Sequence, residues 1–299
     1  MNCNVCEFKI RNSSICCKLY KNNGNIRYLK FNITEESYNL LKNKYNFDNI
    51  DVYKKICSIK YESEVYKNIK DVNILSNKCE IYNISSKEFI NLLGDKDNKL
   101  YNSLIEYIKI DNLYEIFDLI NFNVIDLPYV VYDSFFNNIY KNKLDIWDYI
   151  KKIFNIFKFY ESIEFMHNDI HLSNIFIDEV NKNPIIYDFN ASYHKSISDN
   201  IYVDEYKSQY NRYIKNVDMM RFVYHFYGIL HHRLSKKNVY NLIHGNNIKK
   251  KFYNIFLKKN DKKNINSFID LCMYCNYCYY DLKDYIRDID EIIEILDNY

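Results

Sequence analysis

The sequence predicts an α+β chain in two lobes, a small β-rich N-terminal lobe over 1–133 and a larger, mainly helical C-terminal lobe over 134–299. Three observations lead there. Strand-like runs crowd the N-terminal end around an Asn-Gly turn. From Asp145 onward apolar residues recur at helical spacing over several turns. Directly after that helix comes a polar loop, and after the loop a second strand–turn–strand pattern. With 299 residues, 48% of them hydrophobic, the chain has enough apolar surface for two cores.

The elements follow in order. "EFKI" (Glu7 to Ile10), "ICCKLY" (Ile15 to Tyr20) and "IRYLKF" (Ile26 to Phe31) are rich in β-branched and aromatic residues. "KNNGN" joins the last two as a hairpin turn, its Asn-Gly supplying positive φ. Thr34 is placed to cap a helix through "TEESYNLLKNKY", and "YESEVYKNI" (Tyr61 to Ile69) reads as a further short helix. Between Asn68 and Phe122 the pattern is mixed, with "SSKEFINLL" and "NSLIEYIKIDNLYEIFDLI" helical. "VIDLPYVVYDSF" (Val124 to Phe135) reads as a buried strand leading into a loop. In the second lobe, Asp145 caps a helix whose stripe is Ile146, Ile150, Ile153, Phe157 and Tyr160. "NIFIDEVNKNPIIYDF" gives two strands around a turn with Pro184, and Val217 to Leu230 a buried helix. "DYIRDIDEIIEILDNY" is amphipathic through Ile286, Ile289, Ile293 and Leu296.

Composition narrows the function. A net charge of +2, from 41 basic and 39 acidic residues, argues against a global nucleic-acid footprint. The 32 Tyr and 19 Phe argue against disorder. Asn, Lys, Ile and Tyr dominate as in an A/T-rich coding sequence, so the Lys- and Asn-rich runs carry little functional weight. No long uncharged apolar stretch exists, so no membrane span is expected. "MNCNVCEFKIRN" lacks the apolar core of a secretory leader, and a soluble cytoplasmic protein is the expectation. Nine Cys are then reduced thiols. Cys3, Cys6, Cys16 and Cys17, or Cys272, Cys275 and Cys278, have metal-like spacing. The first set lies on strand-like segments and the second lacks a fourth thiol, so buried, small apolar side chains are the better reading.

The chemistry gathers in "FMHNDIHLSNIFI" (Phe165 to Ile177) and "IIYDFN" (Ile185 to Asn190). Phosphoryl transfer needs a carboxylate that accepts the proton of the attacking hydroxyl, and oxygen ligands for Mg²⁺. Asp169 fits the first role, Asn174 and Asp188 the second, if the loop and hairpin bring them to one edge. Asp169 and Asn174 also fit a turn-capping role. His167 and His171 have the i, i+4 spacing of zinc ligands, but Asn168, Asp169 and Ser173 favour a loop over the helix that such a site needs. His167 alone equally fits a packed, hydrogen-bonded histidine.

"HNDIHLSN" followed by "YDFN" resembles the catalytic loop and metal-binding segment of the protein-kinase-like phosphotransferases, H-x-D-x-x-x-x-N and then D-F-G after a short hairpin. The resemblance implies the two-lobed protein-kinase-like fold, with a nucleotide-binding N-lobe carrying helical insertions. It implies ATP as substrate, Mg²⁺ (or Mn²⁺) as cofactor, Asp169 as base, and His167 and His171 as its neighbours in the loop. A strand lysine for the ATP phosphates would be Lys30, with Lys54 and Lys60 as rivals, and its partner Glu64, with Glu62 as the close second. Tyr132, Asp133 and Ser134 would meet adenine where the chain enters the hinge, and Asp218 would brace the loop from a later helix.

The chain departs from the pattern in four places. No Gly-rich loop is present; "RNSS" (Arg11 to Ser14) stands there, with Ser13 and Ser14 as the phosphate-cradling candidates. Asn168 replaces the usual Arg after the loop His, which argues against a switch pairing that Arg with a phosphorylated segment. Asn190 replaces the Gly of the metal segment, and no A-P-E follows. His171 stands where protein kinases carry Lys and aminoglycoside and choline kinases often carry His. The texture is similar to divergent kinases of large DNA viruses, including the poxvirus late serine/threonine kinase group. A serine/threonine protein kinase is therefore the leading expectation, with a small-molecule kinase and a catalytically weak pseudokinase scaffold as alternatives.

Overall fold

The β-branched and aromatic runs at the N-terminus form three antiparallel strands, β1 (Asn4–Ile10), β2 (Ile15–Tyr20) and β3 (Ile26–Ile33). The computed structural model describes residues 4–10, 14–20, 26–45, 50–73, 75–93, 99–108, 113–135, 146–197, 203, 209–231, 246–274 and 279–298. The turn proposed at "KNNGN" lies outside them, but the pairing of Tyr20 with Ile26 and Cys16 with Lys30 is that of a hairpin. After β3 come α1 (Glu35–Tyr45), α2 (Ile50–Asn68), β4 (Glu80–Ser85), α3 (Ser86–Leu93), α4 (Lys99–Ile108), a 3-10 turn at Leu113–Leu119 and β5 (Asn121–Pro128). The five strands form one antiparallel sheet in the order β1-β2-β3-β5-β4.

Alternation along β3 sets the two faces of this sheet. Leu29, Phe31 and Ile33 are buried in the core, where the Phe31 ring meets Phe89 at 4.7 Å and Phe122 at 5.8 Å, both edge-to-face. Lys30 and Asn32, on the opposite face, meet α2. The helix starts obey local rules: Ser37 N–H donates to Thr34 Oγ1 at 3.3 Å, the cap expected for α1. At α3, Ser85 and Glu88 form a reciprocal capping box, Glu88 N–H to Ser85 Oγ at 3.3 Å and Ser85 N–H to Glu88 Oε2 at 3.2 Å.

The remaining elements are β6 (Tyr132–Ser134), α5 (Ile146–Ser162), β7 (Ile175–Asp178), β8 (Pro184–Ile186), α6 (Val217–His231), α7 (Asn246–Phe256), α8 (Lys262–Tyr274) and α9 (Ile289–Asp297). β6, β7 and β8 make a small antiparallel sheet. α5 buries Tyr149, Ile150, Ile153, Phe154, Phe157 and Tyr160, and it packs against α9 and α6. Phe154, Phe222, Phe226, Phe252 and Phe256 form an aromatic core around α6 and α7, with Phe252 and Phe256 at 4.9 Å and Phe154 and Phe222 at 5.6 Å.

The fold is thus mixed α+β, with the large sheet N-terminal and the remainder mostly helical. The chain divides into two compact units, Met1–Val130 with Ser196–Tyr202, and Val131–Lys195 with Val203–Tyr299. The division falls at Val130/Val131 rather than at 133/134 because Tyr132–Ser134 are hydrogen-bonded to β7 as β6. Other expectations change as well. The short helix at Tyr61 to Ile69 is the second half of the 19-residue α2. β4 arises within the mixed stretch; as an edge strand it is half-exposed and shows no alternation to read. The C-terminal helix begins only at Ile289, and Ile286 instead bridges to Leu257. Among the described residues no helix is long and apolar enough to cross a membrane.

Candidate active site

The loop from Met166 to Asn174 is launched by the end of α5. Phe165 N–H donates to Tyr160 O at 2.9 Å and Glu164 N–H to Glu161 O at 3.1 Å, with Glu164 left-handed at φ 53°. This is a Schellman ending, and its usual apolar contact is made by the Tyr160 and Phe165 rings at 4.8 Å. Met166 then pairs with Tyr193 through two main-chain hydrogen bonds, of 3.0 and 2.7 Å.

His167 is wholly buried. Its Nε2 donates to Tyr187 O at 2.8 Å, and Asp169 N–H donates to its Nδ1 at 3.3 Å. A carbonyl can only accept and an amide N–H can only donate, so the neutral ring with its proton on Nε2 satisfies both. Both nitrogens are occupied, which makes His167 a bracing residue and removes it from the zinc reading. Asp218, on α6, accepts from His167 N–H at 2.6 Å and from Asn168 N–H at 2.9 Å. Burial pushes the Asp218 carboxyl above the usual aspartate range, against the neighbouring His167 ring, the two backbone donors and the Arg221 charge, which act to hold it down.

Tyr187 splices the loop to the hairpin. Its carbonyl accepts the hydrogen bond from His167 Nε2, and its N–H donates to Asn174 O at 3.0 Å. Asp188 follows directly, at φ 70° and ψ 63°, a left-handed conformation uncommon outside glycine and strained for a branched residue but tolerated by Asp. Phe189 anchors the next turn against the His167 ring at 5.1 Å. Asn174 Nδ2 donates to Asp169 O at 3.1 Å. Asp169 is partly exposed, and His171 Nε2 stands 3.9 Å from its Oδ2. The loop, Tyr187 and the hairpin therefore bring Asp169, Asn174 and Asp188 into one hydrogen-bonded neighbourhood. Asn174 Oδ1 and the Asp188 carboxylate are hard oxygen donors of the kind Mg²⁺ takes.

A second polar centre lies in the first unit. Lys30 Nζ donates to Glu62 Oε2 at 2.5 Å, and both side chains are buried, at 11% and 2% exposure. The expected partner Glu64 is displaced by Glu62: two residues along a helix turn the side chain by about 200°, and Glu62 is the one on the β3 side of α2. The rival Lys54 and Lys60 lie on α2 itself, and Lys60 pairs with Glu35 at 3.0 Å. Ser14 is wholly buried just before β2, with its hydroxyl 3.6 Å from Cys16 Sγ, and Arg11, Asn12 and Ser13 lie outside the described residues. Tyr132 and Asp133 are placed on β6, paired with Asp178 and Ile177. Cys16, Cys17 and Cys272 are buried, and Cys17 is pushed far above the usual thiol range by burial. Cys3, Cys275, Cys278 and the Cys6 side chain lie outside the described set.

Two participants were not evident in the sequence. Asn168 is an organising residue rather than a mere replacement, and His225 lies beside His171 with ring centroids 6.2 Å apart. The signal for His225 was present: Asp218, Arg221 and His225 are polar residues at helical spacing on an otherwise apolar helix. No protein-family model matches the chain, and no curated protein matches it.

Proposed function

We propose that the chain is a Mg-ATP-dependent phosphotransferase of the protein-kinase-like kind, with a serine or threonine hydroxyl of a protein as the favoured acceptor. The observation that carries this reading is the buried Lys30–Glu62 pair. Burying two charges costs more than an equivalent apolar contact, so such a pair is poor evidence of a stability role. A lysine on the third strand, paired to a glutamate on the following long helix, is the arrangement that receives ATP phosphates in protein kinases. It stands far in sequence from the loop motif and supports the same activity independently.

In this reading Lys30 binds the α/β-phosphates, with Glu62 fixing its ammonium. Asn174 and Asp188 would hold Mg²⁺, which would supply positive charge against that building on the leaving group. The acceptor oxygen attacks the γ-phosphorus, the bond from that phosphorus to the β–γ bridging oxygen breaks, and ADP departs. The acceptor proton passes to Asp169. His167 keeps the loop in register through Tyr187 and takes no part in the proton transfer. One observation favours a second reading: His171 beside Asp169 suits a small-molecule acceptor.

The test incubates the full chain with labelled ATP and Mg²⁺, with generic proteins and small hydroxyl acceptors side by side. Asp169→Asn should lower transfer by about 10²- to 10⁴-fold while leaving the nucleotide-induced rise in melting temperature intact. Unchanged transfer in that variant overturns the mechanism. Stabilisation by nucleotide without transfer to any acceptor makes the chain a binding scaffold.

A further inference from the structure

We propose that Asn168 is a positioning residue that fixes the spacing between the base Asp169 and the metal ligand Asp188; this rests on the reading above. Asn168 is 0% exposed and left-handed at φ 67°. Its side chain makes four contacts to three separate segments. Nδ2 donates to Ala191 O and to Tyr210 O, each at 3.0 Å, and Oδ1 accepts from Tyr210 N–H at 3.0 Å and from Arg221 Nη2 at 3.4 Å. Its own N–H is held by Asp218.

Each contact bears on the chemistry. Asp169 is the next residue, so the Asn168 backbone sets the direction in which the base leaves the loop. Ala191 closes the turn that begins at Asp188, where Ser192 N–H donates to Phe189 O at 3.1 Å. One amide therefore ties the peptide beside the base to the turn that carries the metal ligand. The two bonds to Tyr210 add the segment before α6 to the same anchor, in the manner of a strand pair. The contacts to Ala191 and Tyr210 join a neutral amide to neutral peptide groups, so they form without any modification or change of protonation. Only a side chain with both a donor and an acceptor on a short stem, and tolerant of positive φ, serves here. A glycine keeps the backbone conformation and loses the clamp; an aspartate keeps the conformation and one acceptor, but sets a carboxylate against two carbonyls.

The experiment compares the wild-type chain with Asn168→Gly, Asn168→Asp and Asn168→Ala. Mn²⁺ binding in the presence of ATP is titrated by electron paramagnetic resonance, transfer is measured across Mg²⁺ concentrations, and melting curves report folding. Asn168→Gly should fold and bind ATP without metal as the wild type does. Its Mn²⁺ midpoint should rise by about tenfold and its kcat fall by about as much, the loss of roughly one neutral buried hydrogen bond's worth of positioning. Asn168→Asp should shift the midpoint at least as far, and Asn168→Ala should add a loss of melting temperature from the strained φ. Should Asn168→Ala fail to fold, Asn168→Gly still decides the matter. If the wild type binds Mn²⁺ with ATP and the glycine and aspartate variants share its midpoint and kcat, the positioning role is overturned and the phosphotransferase reading stands. If the wild type binds no metal-nucleotide at all, both fall together.

Discussion

The two polar centres of this chain solve burial in opposite ways. Lys30 and Glu62 are full charges that neutralise each other in a single short contact between a strand and a helix. The loop around His167 uses one carboxylate, Asp218, to serve two backbone amides, adds the Arg221 guanidinium on Asn168 Oδ1, and otherwise relies on an imidazole, two asparagine amides and the main chain of Tyr187, Ala191 and Tyr210. The first centre is held by charge and is vulnerable at either partner. The second is held by many modest hydrogen bonds, each worth about 1 kcal/mol, and resists the loss of any single one. Under the proposed activity, the difference suits a lysine that hands part of its charge to a ligand, and a loop that keeps its atoms in place.

The sharpest way to break that contrast is to remove one charge. Lys30→Met leaves Glu62 buried and unmatched at that contact, and should cost about 3–5 kcal/mol in urea unfolding. The double variant Lys30→Met/Glu62→Leu should recover most of that stability, since a buried pair is replaceable by apolar contact. Nucleotide-induced stabilisation should stay lost in both. A double variant that still binds Mg-ATP like the wild type would assign the pair to structure and sink its phosphate role. Persistent instability of the double variant would show that the pair supports folding beyond mutual neutralisation.

A smaller effect is expected from Asp218→Asn. Asparagine presents one acceptor to two amides, so one of the His167 and Asn168 N–H groups loses its partner, at about 1–3 kcal/mol. The pH dependence gives a finer test. Folding raises the Asp218 pKa, chiefly through burial. The folded chain then binds a proton at a pH where the unfolded chain does not. That contribution is fully present below the ordinary value of about 3.9 and is lost as pH rises through the raised value. The stability difference between wild type and Asp218→Asn should therefore shift in favour of the wild type as pH falls from neutrality into that window. Glu161, also raised chiefly by burial, is common to both chains and takes only its smallest contribution from Asp218, so most of its titration cancels. A difference that stays flat with pH would mean Asp218 titrates alike in both states.

What could be read in the sequence was local. The order His167, Asp169, Asn174 and Asp188 spans one loop and one hairpin, and short-range spacing nearly fixes it. Thr34 capped its helix as expected because capping is decided within one turn. The choice between Glu62 and Glu64 was not legible, since it depends on how α2 is rotated against the sheet. Nor was the start of α2 at Ile50, because its buried residues spread over more than one face and blur the helical stripe. Tyr210 lies 42 residues from Asn168, and no spacing rule links a main-chain group to an amide at that range. The burial of Ser14 was not legible either, because small residues at a turn fit an open loop and only packing decides how deep one sits.

The smallest effect makes the most specific control. Lys60, on α2, and Glu35, at the start of α1, form a second Lys–Glu pair in the same unit, but at 56% and 33% exposure. Glu35 lies below the usual glutamate range, first through its hydrogen bond from Tyr53 and then through that from Lys60, and Lys60 is raised above the usual lysine range by the same contact with Glu35. Exposed pairs of this kind contribute about 0–1 kcal/mol because water and salt screen them. Lys60→Met should thus change unfolding stability by no more than about 0.5 kcal/mol, and less at high salt, with nucleotide-induced stabilisation unchanged. Lys30 and Lys60 share residue type, partner type and unit, so a difference in their effects isolates burial and position as the cause. If Lys60→Met instead abolished nucleotide stabilisation while Lys30→Met preserved it, the phosphate-binding lysine would lie on the helix, and the assignment built on β3 would have to be abandoned.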